Sequence, residues 1–336
     1  MTAGHLNRSA AEFALFSAAF LIPALAWVYL PVLAVLAALV MPVPLALLVR
    51  RQDLRRGLVA LLLLLAVLSA VTLKPYLALV IVMQTGPLGL LLGLLFKNHV
   101  SSGKTLVTAV AFSLVLALGM FLFTYLLTGS SPFTLNERQS YVFDQERRLL
   151  TQMFGQGGTT GELDPDTLRE MQSAIDQVEV LWPVISASSV LIWFMASAAL
   201  SCRITRRVMI RYGHSVPAPL PFSRLRLPWY TIWGVIAGLA LLLGGDQAGS
   251  PGLATAGKVL LLVTGFLLAA IGGSVHAHYL QRWKVAWPFK LISLIILAVY
   301  LPLTLMVLAT TGVIDCIWNI RRLTPDGRTP EEENKK

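Results

Sequence analysis

The sequence predicts an all-α, polytopic helical membrane protein of about nine transmembrane helices, with an external helical hairpin inserted after the fifth. Three observations predict it. Of 336 residues, 56% are hydrophobic and only 13% charged, against about a quarter charged in a soluble domain, and the mean hydropathy is +0.71. The apolar residues come in runs of about 20, the length that crosses a bilayer core. The charged residues gather in the short segments between those runs.

Taken in order, the runs set spans at 12–30, 31–49, 57–73, 76–96, 105–127, 183–201, 229–245, 258–280 and 289–311. The opening MTAGHLNRSAAEF has a single Arg before the first run and no small-residue cleavage site ahead of a soluble domain, so the first span is expected to stay in the mature chain. The stretch 11–49 is too long for one helix. Pro31, after Tyr29-Leu30, makes a tight hairpin turn the simplest reading, with a re-entrant segment as the alternative.

The fourth run carries an oddity. In MQTGPLGLLLGLL (83–95), Gln84, Thr85, Gly86 and Pro87 place an amide, a hydroxyl and a helix breaker inside apolar sequence. Pro87 lacks an N–H and pushes against the carbonyl of Met83, which predicts a weak point in this helix. Two readings stand. Gln84 and Thr85 satisfy neighbouring backbone groups locally, or the break opens on a polar pocket among the first six spans. The second reading makes Gln84, Thr85 and Gly86 candidate ligand-binding residues.

Orientation follows from the Lys/Arg bias of the short loops. RRQDLRR (50–56) carries four arginines, KNHVSSGK (97–104) two lysines, the 202–228 segment six arginines, and QRWK (281–284) an Arg and a Lys. These alternate as cytoplasmic, so the N-terminus is expected inside and 128–182 outside. The outer segment has nine acids against four arginines, a net of −5. The net charge of +10 is therefore a topology signal and not a nucleic-acid signal. The C-terminus is the misfit: nine spans put Arg321 and Arg322 outside. Either one crossing is miscounted or DCIWNIRR (315–322) lies along the interface.

The outer segment has its own pattern. Asp164 suits an N-cap and Pro165 the first helical position. Beyond them Leu168, Met171, Ile175, Val178 and Trp182 fall on one helix face. Val142, Leu149, Leu150, Met153 and Phe154 mark a weaker stripe upstream, and GQGGTTG (155–161) supplies the turn between.

The search for chemistry is mostly negative. No Asp or Glu lies in the apolar body of any span as drawn, which disfavours a proton-driven carrier. SSGKT (101–105) ends like a phosphate-binding loop, yet Asn98 stands where the first glycine is required and no strand precedes it. His276 and His278 are two apart and point to different helix faces. Ser274 has no accompanying base or GxSxG turn. Cys202 and Cys316 lack paired spacing. The sequence thus predicts no enzyme, cofactor or metal. The arginine runs 50–56 and 203–211 read as topology anchors, with anionic lipid contact as the sharper alternative. Small residues recur at Ala10, Ala14 and Ala18, and at Gly86, Gly89 and Gly93. Such spacing lets helices approach closely, within the chain or against a second membrane subunit.

MPVPLALLVRRQDLRRG (41–57), GPLGLLLGLLFKN (86–98), LPWYTIWGV (227–235) and TTGVIDCIWNIRRL (310–323) resemble, in order, segments of the YybS-like family of bacterial membrane proteins, a domain of unknown function. That family is similar in its N-terminal part to the S components of energy-coupling-factor (ECF) vitamin transporters and to the cell-shape protein MreD. The resemblance implies an inner (plasma) membrane protein whose 1–127 and 183–214 form a six-helix core, with 128–182 as an acidic insert, 215–314 as three further helices and 315–336 as a polar tail. Ala14 and Ala18 stand where S components carry an AxxxA motif that meets a coupling subunit, which makes them candidate partner-docking residues. The insert departs from a plain vitamin-binding protein. Two function classes follow. The leading one is small-molecule binding or translocation dependent on partner subunits, since no ATPase motif is present. The alternative is an envelope scaffold or assembly protein with no transported ligand.

Overall fold

A computed structural model describes residues 3–154 and 164–323. All regular structure among them is helical. In chain order the helices are α1 (Ala3–Tyr29), α2 (Ala34–Val40), α3 (Pro42–Arg51), α4 (Leu54–Thr72), α5 (Pro75–Lys97), α6 (Ser102–Thr128), α7 (Glu137–Phe154), α8 (Pro165–Arg211), α9 (Ile232–Gln247), α10 (Pro251–Arg282), α11 (Trp287–Val299) and α12 (Leu301–Trp318). Among the described residues nine helical stretches are long and apolar enough to cross a membrane. Hydrocarbon offers a backbone no partner, and an α-helix satisfies its own N–H and C=O groups.

The turn expected at Pro31 is present. A short 3₁₀ turn, Pro31–Leu33, separates α1 from α2, and α2 and α3 together make the second span, 34–51. The chain forms two compact units. The first comprises 1–120, 191–225 and 322–336; the second comprises 121–190 and 226–321.

In the first unit α3 is the central helix, buried at every position from Pro42 to Val49. α5 runs parallel to it in backbone contact. A Cβ on Gly89 would sit 2.7 Å from the Pro42 carbonyl oxygen, and one on Gly93 2.7 Å from that of Ala46. Only glycine permits this approach. Phe16 and Phe20 of α1, Leu64 and Leu68 of α4, Ile81 and Phe96 of α5, and Ala198 and Met209 of α8 complete the core.

In the second unit α7 and the start of α8 form the predicted hairpin. Phe143 meets Trp182 edge to face at 5.8 Å, and Gln172 donates to Thr151 Oγ1 at 3.2 Å. α8 begins at Pro165, whose neighbour Leu168 donates its N–H to the Asp164 carbonyl. It does not start afresh at 183. Pro183 lies inside a single helix of 47 residues. The expected turn at 155–161 falls outside the described residues.

The ninth span departs from the sequence reading. The run 289–311 is not one helix: α11 has 13 residues, the chain breaks at Tyr300, and the spanning helix is Leu301–Trp318. Pro302, in the first turn of α12, explains the new start. α12 packs antiparallel to α10. Gly272 abuts the Leu308 carbonyl and Gly312 that of Leu268, so positions rising along α10 meet positions falling along α12, and Ser274 and Asp315 bind one guanidinium. α11 connects the two, with Ser293 against His276 of α10. The C-terminal end of α12 therefore lies away from the Arg282 end of α10. At 1.5 Å per residue α11 is about 20 Å long, short of the ~30 Å hydrocarbon core.

Candidate functional site

The MQTGP segment holds no break. α5 is continuous through Pro87, contrary to the expected weak point. A single lost hydrogen bond does not open a helix that is clamped by α3 on one side and α4 on the other. Thr85 is buried and its hydroxyl donates to the Ile81 carbonyl at 3.0 Å, which is the local backbone satisfaction weighed above. Gly86 is buried, and a Cβ there would strike Leu61 of α4. Gln84 is half-buried. The glycine face of α5 is occupied by α3 and α4, so Gly86, Gly89 and Gly93 serve packing within the chain.

Ala14 and Ala18 lie on the other kind of surface. Both are exposed, as is Ala10, while Phe16 and Phe20 turn into the core. The alanine face of α1 is thus not used in folding the first unit.

Three of the four segments expected on one side, 50–56, 97–104 and 202–228, meet at one end of the first unit. Lys97 Nζ is 2.8 Å from Asp53 Oδ1, and Arg51 is 3.0 Å from Glu12. Arg50 donates to the Phe96 carbonyl and, at 2.8 Å, to that of Ser215. Ser102 Oγ donates to the Ala218 carbonyl at 2.6 Å, and Arg206 Nε to that of Pro217 at 2.9 Å. Arg50 caps a carbonyl at the C-terminal end of α5, where cations are favoured, and Arg50 and Arg206 also bind carbonyls of the loop after α8. The His214 imidazole is pushed below its ordinary pKa, first by burial and then by Arg50 and Arg51. Lys97, followed by Arg56 and Arg55, holds the Asp53 carboxyl below its ordinary range.

Arg147 is the hub of the hairpin. It pairs with Asp144 and with Asp176, each at 2.8 Å, and with Glu179. Glu179 and Asp176 push its pKa upward.

The most buried polar cluster was not anticipated. The Asp315 and Arg321 side chains are both 0% exposed and meet at 2.7 Å. Arg321 Nη1 also donates to Ser274 Oγ at 2.7 Å. Moving the last span to 301–318 places Asp315 in its final turn, which corrects the expectation that no acid enters a spanning helix. The chain reverses at Asn319, φ 46°, a left-handed conformation that Asn tolerates better than most residues. This reversal returns Arg321 to Asp315. A buried acid within an apolar helix, followed by Asn and Arg, was the available signal.

The remaining candidates are ordinary. His276 pairs with Ser293 at 2.8 Å and His278 stacks edge-on with Tyr279. No group of three His, Cys, Asp or Glu among the described residues has metal-site geometry. Cys202 and Cys316 are buried free thiols. A surface cavity of about 550 Å³ lies at the α6–α7 connection, lined by Ser130, Ser131, Thr134 and Asn136.

All-helical regular structure and nine stretches long and apolar enough to cross a membrane, both among the described residues, define an integral multi-pass membrane protein. The chain belongs to a family described as a predicted membrane protein, DUF2232, whose model matches residues 18–316. No curated protein and no solved structure matches it.

Proposed function

We propose that the protein is a non-catalytic membrane scaffold or assembly protein, acting through contacts with other membrane subunits. The observation that carries this choice is the backbone contact of Gly89 and Gly93 with Pro42 and Ala46. With Leu61 of α4 against Gly86, it closes the glycine face of α5, where a ligand pocket among the first six spans would need room. The exposed Ala14 and Ala18 supply a helix face free for a second membrane helix. The resemblance to MreD fits this reading, and that to S components supports the same alanine face as a docking element.

The topology we infer has the basic end of the first unit in the cytoplasm and 128–182 outside. α11, about 20 Å long, is too short to count as a crossing, which leaves the nine spans among the described residues. An odd number puts Arg321 and Arg322 on the side opposite the N-terminus, and the pairing of Arg321 with Asp315 takes one of those two charges out of the positive-inside count.

Denaturing the purified protein and identifying released small molecules tests the function. The scaffold reading expects no stoichiometric ligand from either wild type or Gln84→Leu. A ligand retained by wild type and lost from a folded Gln84→Leu variant would restore the binding reading.

A further inference from the structure

Independently of that reading, we propose that the outer face of the last turns of α8 binds the phosphate of an anionic phospholipid. Arg203, Arg207 and Arg211 are all exposed and fall four residues apart, on one face. Ser201, Cys202, Thr205 and Met209 occupy the opposite face and are buried. Like charges at this spacing repel one another along a helix. None of the three arginines makes an ion pair among the described residues. The nearby acids are also engaged: Glu12 and Asp53 are the only carboxylates in 1–120 and 191–225, and Arg51 and Lys97 hold them. Arg50 on α3 and Arg206 on α8 itself add positive charge, their guanidiniums bonded to carbonyls and not to acids.

Position selects a lipid over a free anion. The arginine face continues, toward the span, through Leu200, Ala196 and Trp193 at spacings of three and four. Leu200 is 43% exposed, and Ala196 and Trp193 are half-buried. One stripe thus presents apolar surface at acyl-chain depth and guanidiniums one turn beyond it. The three arginines cover about 12 Å along the axis, the zone of the headgroups outside the hydrocarbon core. A guanidinium fork matches two phosphate oxygens at once. The headgroup would relieve the repulsion while its acyl chains lie along Trp193, Ala196 and Leu200.

The test uses the full chain in detergent, mixed with phosphatidylglycerol or phosphatidylcholine and examined by native mass spectrometry. R203Q/R207Q/R211Q should lower bound phosphatidylglycerol by at least about five-fold, the contribution of one basic residue at a charged surface. R55Q/R56Q/K104Q, which removes equal charge elsewhere at the same end, should leave it nearly unchanged. Equal losses in both variants would mean diffuse attraction and overturn the site. Displacement of the lipid by millimolar inorganic phosphate would mean a free-anion site. Binding seen only after deletion of 324–336 would assign the stripe to Glu331, Glu332 and Glu333 of the chain itself. If the α8 variant does not fold, wild type decides: its unfolding temperature should rise with phosphatidylglycerol and not with phosphatidylcholine, and no rise overturns the proposal.

Discussion

Replacing Arg321 with Met tests the buried ion pair. Met keeps most of the apolar stem but removes the guanidinium that contacts Asp315 at 2.7 and 3.3 Å and Ser274 at 2.7 Å. Both charged side chains are 0% exposed, so the Asp315 carboxylate would stay in low dielectric without that cation. Breaking such a pair costs about 3–5 kcal/mol, a large share of the ~5–15 kcal/mol that holds a domain. Replacing both partners is different. Arg321→Met with Asp315→Leu leaves no buried charge, and swaps of this kind run from neutral to stabilising. Unfolding followed by tryptophan fluorescence in mixed micelles, for wild type, both single variants and the double, gives the cycle. The single variants should lose several kcal/mol and the double should recover most of it. A single Arg321→Met variant within about 0.5 kcal/mol of wild type, or a double as unstable as the single, would refute the reasoning.

Gly89→Ala should destabilise by about 1–3 kcal/mol, because the new methyl meets the Pro42 carbonyl and α3 cannot withdraw; thermal unfolding in detergent checks this. Ala14→Leu with Ala18→Leu should change stability by no more than about 0.5 kcal/mol, since both sites are exposed, while dissociating any complex read by size exclusion. His214 has a lowered folded pKa, so the unfolded chain takes up its proton first as pH falls. Stability should drop on acidification from the ordinary histidine range downward, and His214→Gln should flatten that part of a stability-against-pH curve. Single cysteines at positions 55 and 322 should label from opposite faces of the membrane, and one at 172 from the same face as 322.

Much of the fold was legible in the sequence because hydrocarbon imposes a length rule that each run either meets or fails. The Pro31 turn, the hairpin beyond Asp164-Pro165 and the gathering of the arginine loops at one end follow from local chemistry and charge. The last spans were not legible for a physical reason. From 287 to 318 the chain is apolar almost throughout, so hydropathy does not mark where it breaks; the only local mark is Pro302, in the first turn of α12. That misplacement hid Asp315. Pro87 misled in the opposite sense: its helix-breaking effect is local, whereas the packing of α5 on α3 and α4 is not visible from its own residues. The exposure of Ala14 and Ala18 depends likewise on which face of α1 the core takes, and only Phe16 and Phe20 decide that.

The central claim is that the protein works through a membrane partner at the α1 face. A photo-cross-linking residue placed at Ala14 in native membranes, with one at Leu62 as the comparison, tests it most directly; Leu62 is 66% exposed on α4. The account predicts one discrete protein adduct from position 14, abolished by Ala18→Leu, and lipid adducts alone from position 62. Lipid adducts alone from both positions would contradict it.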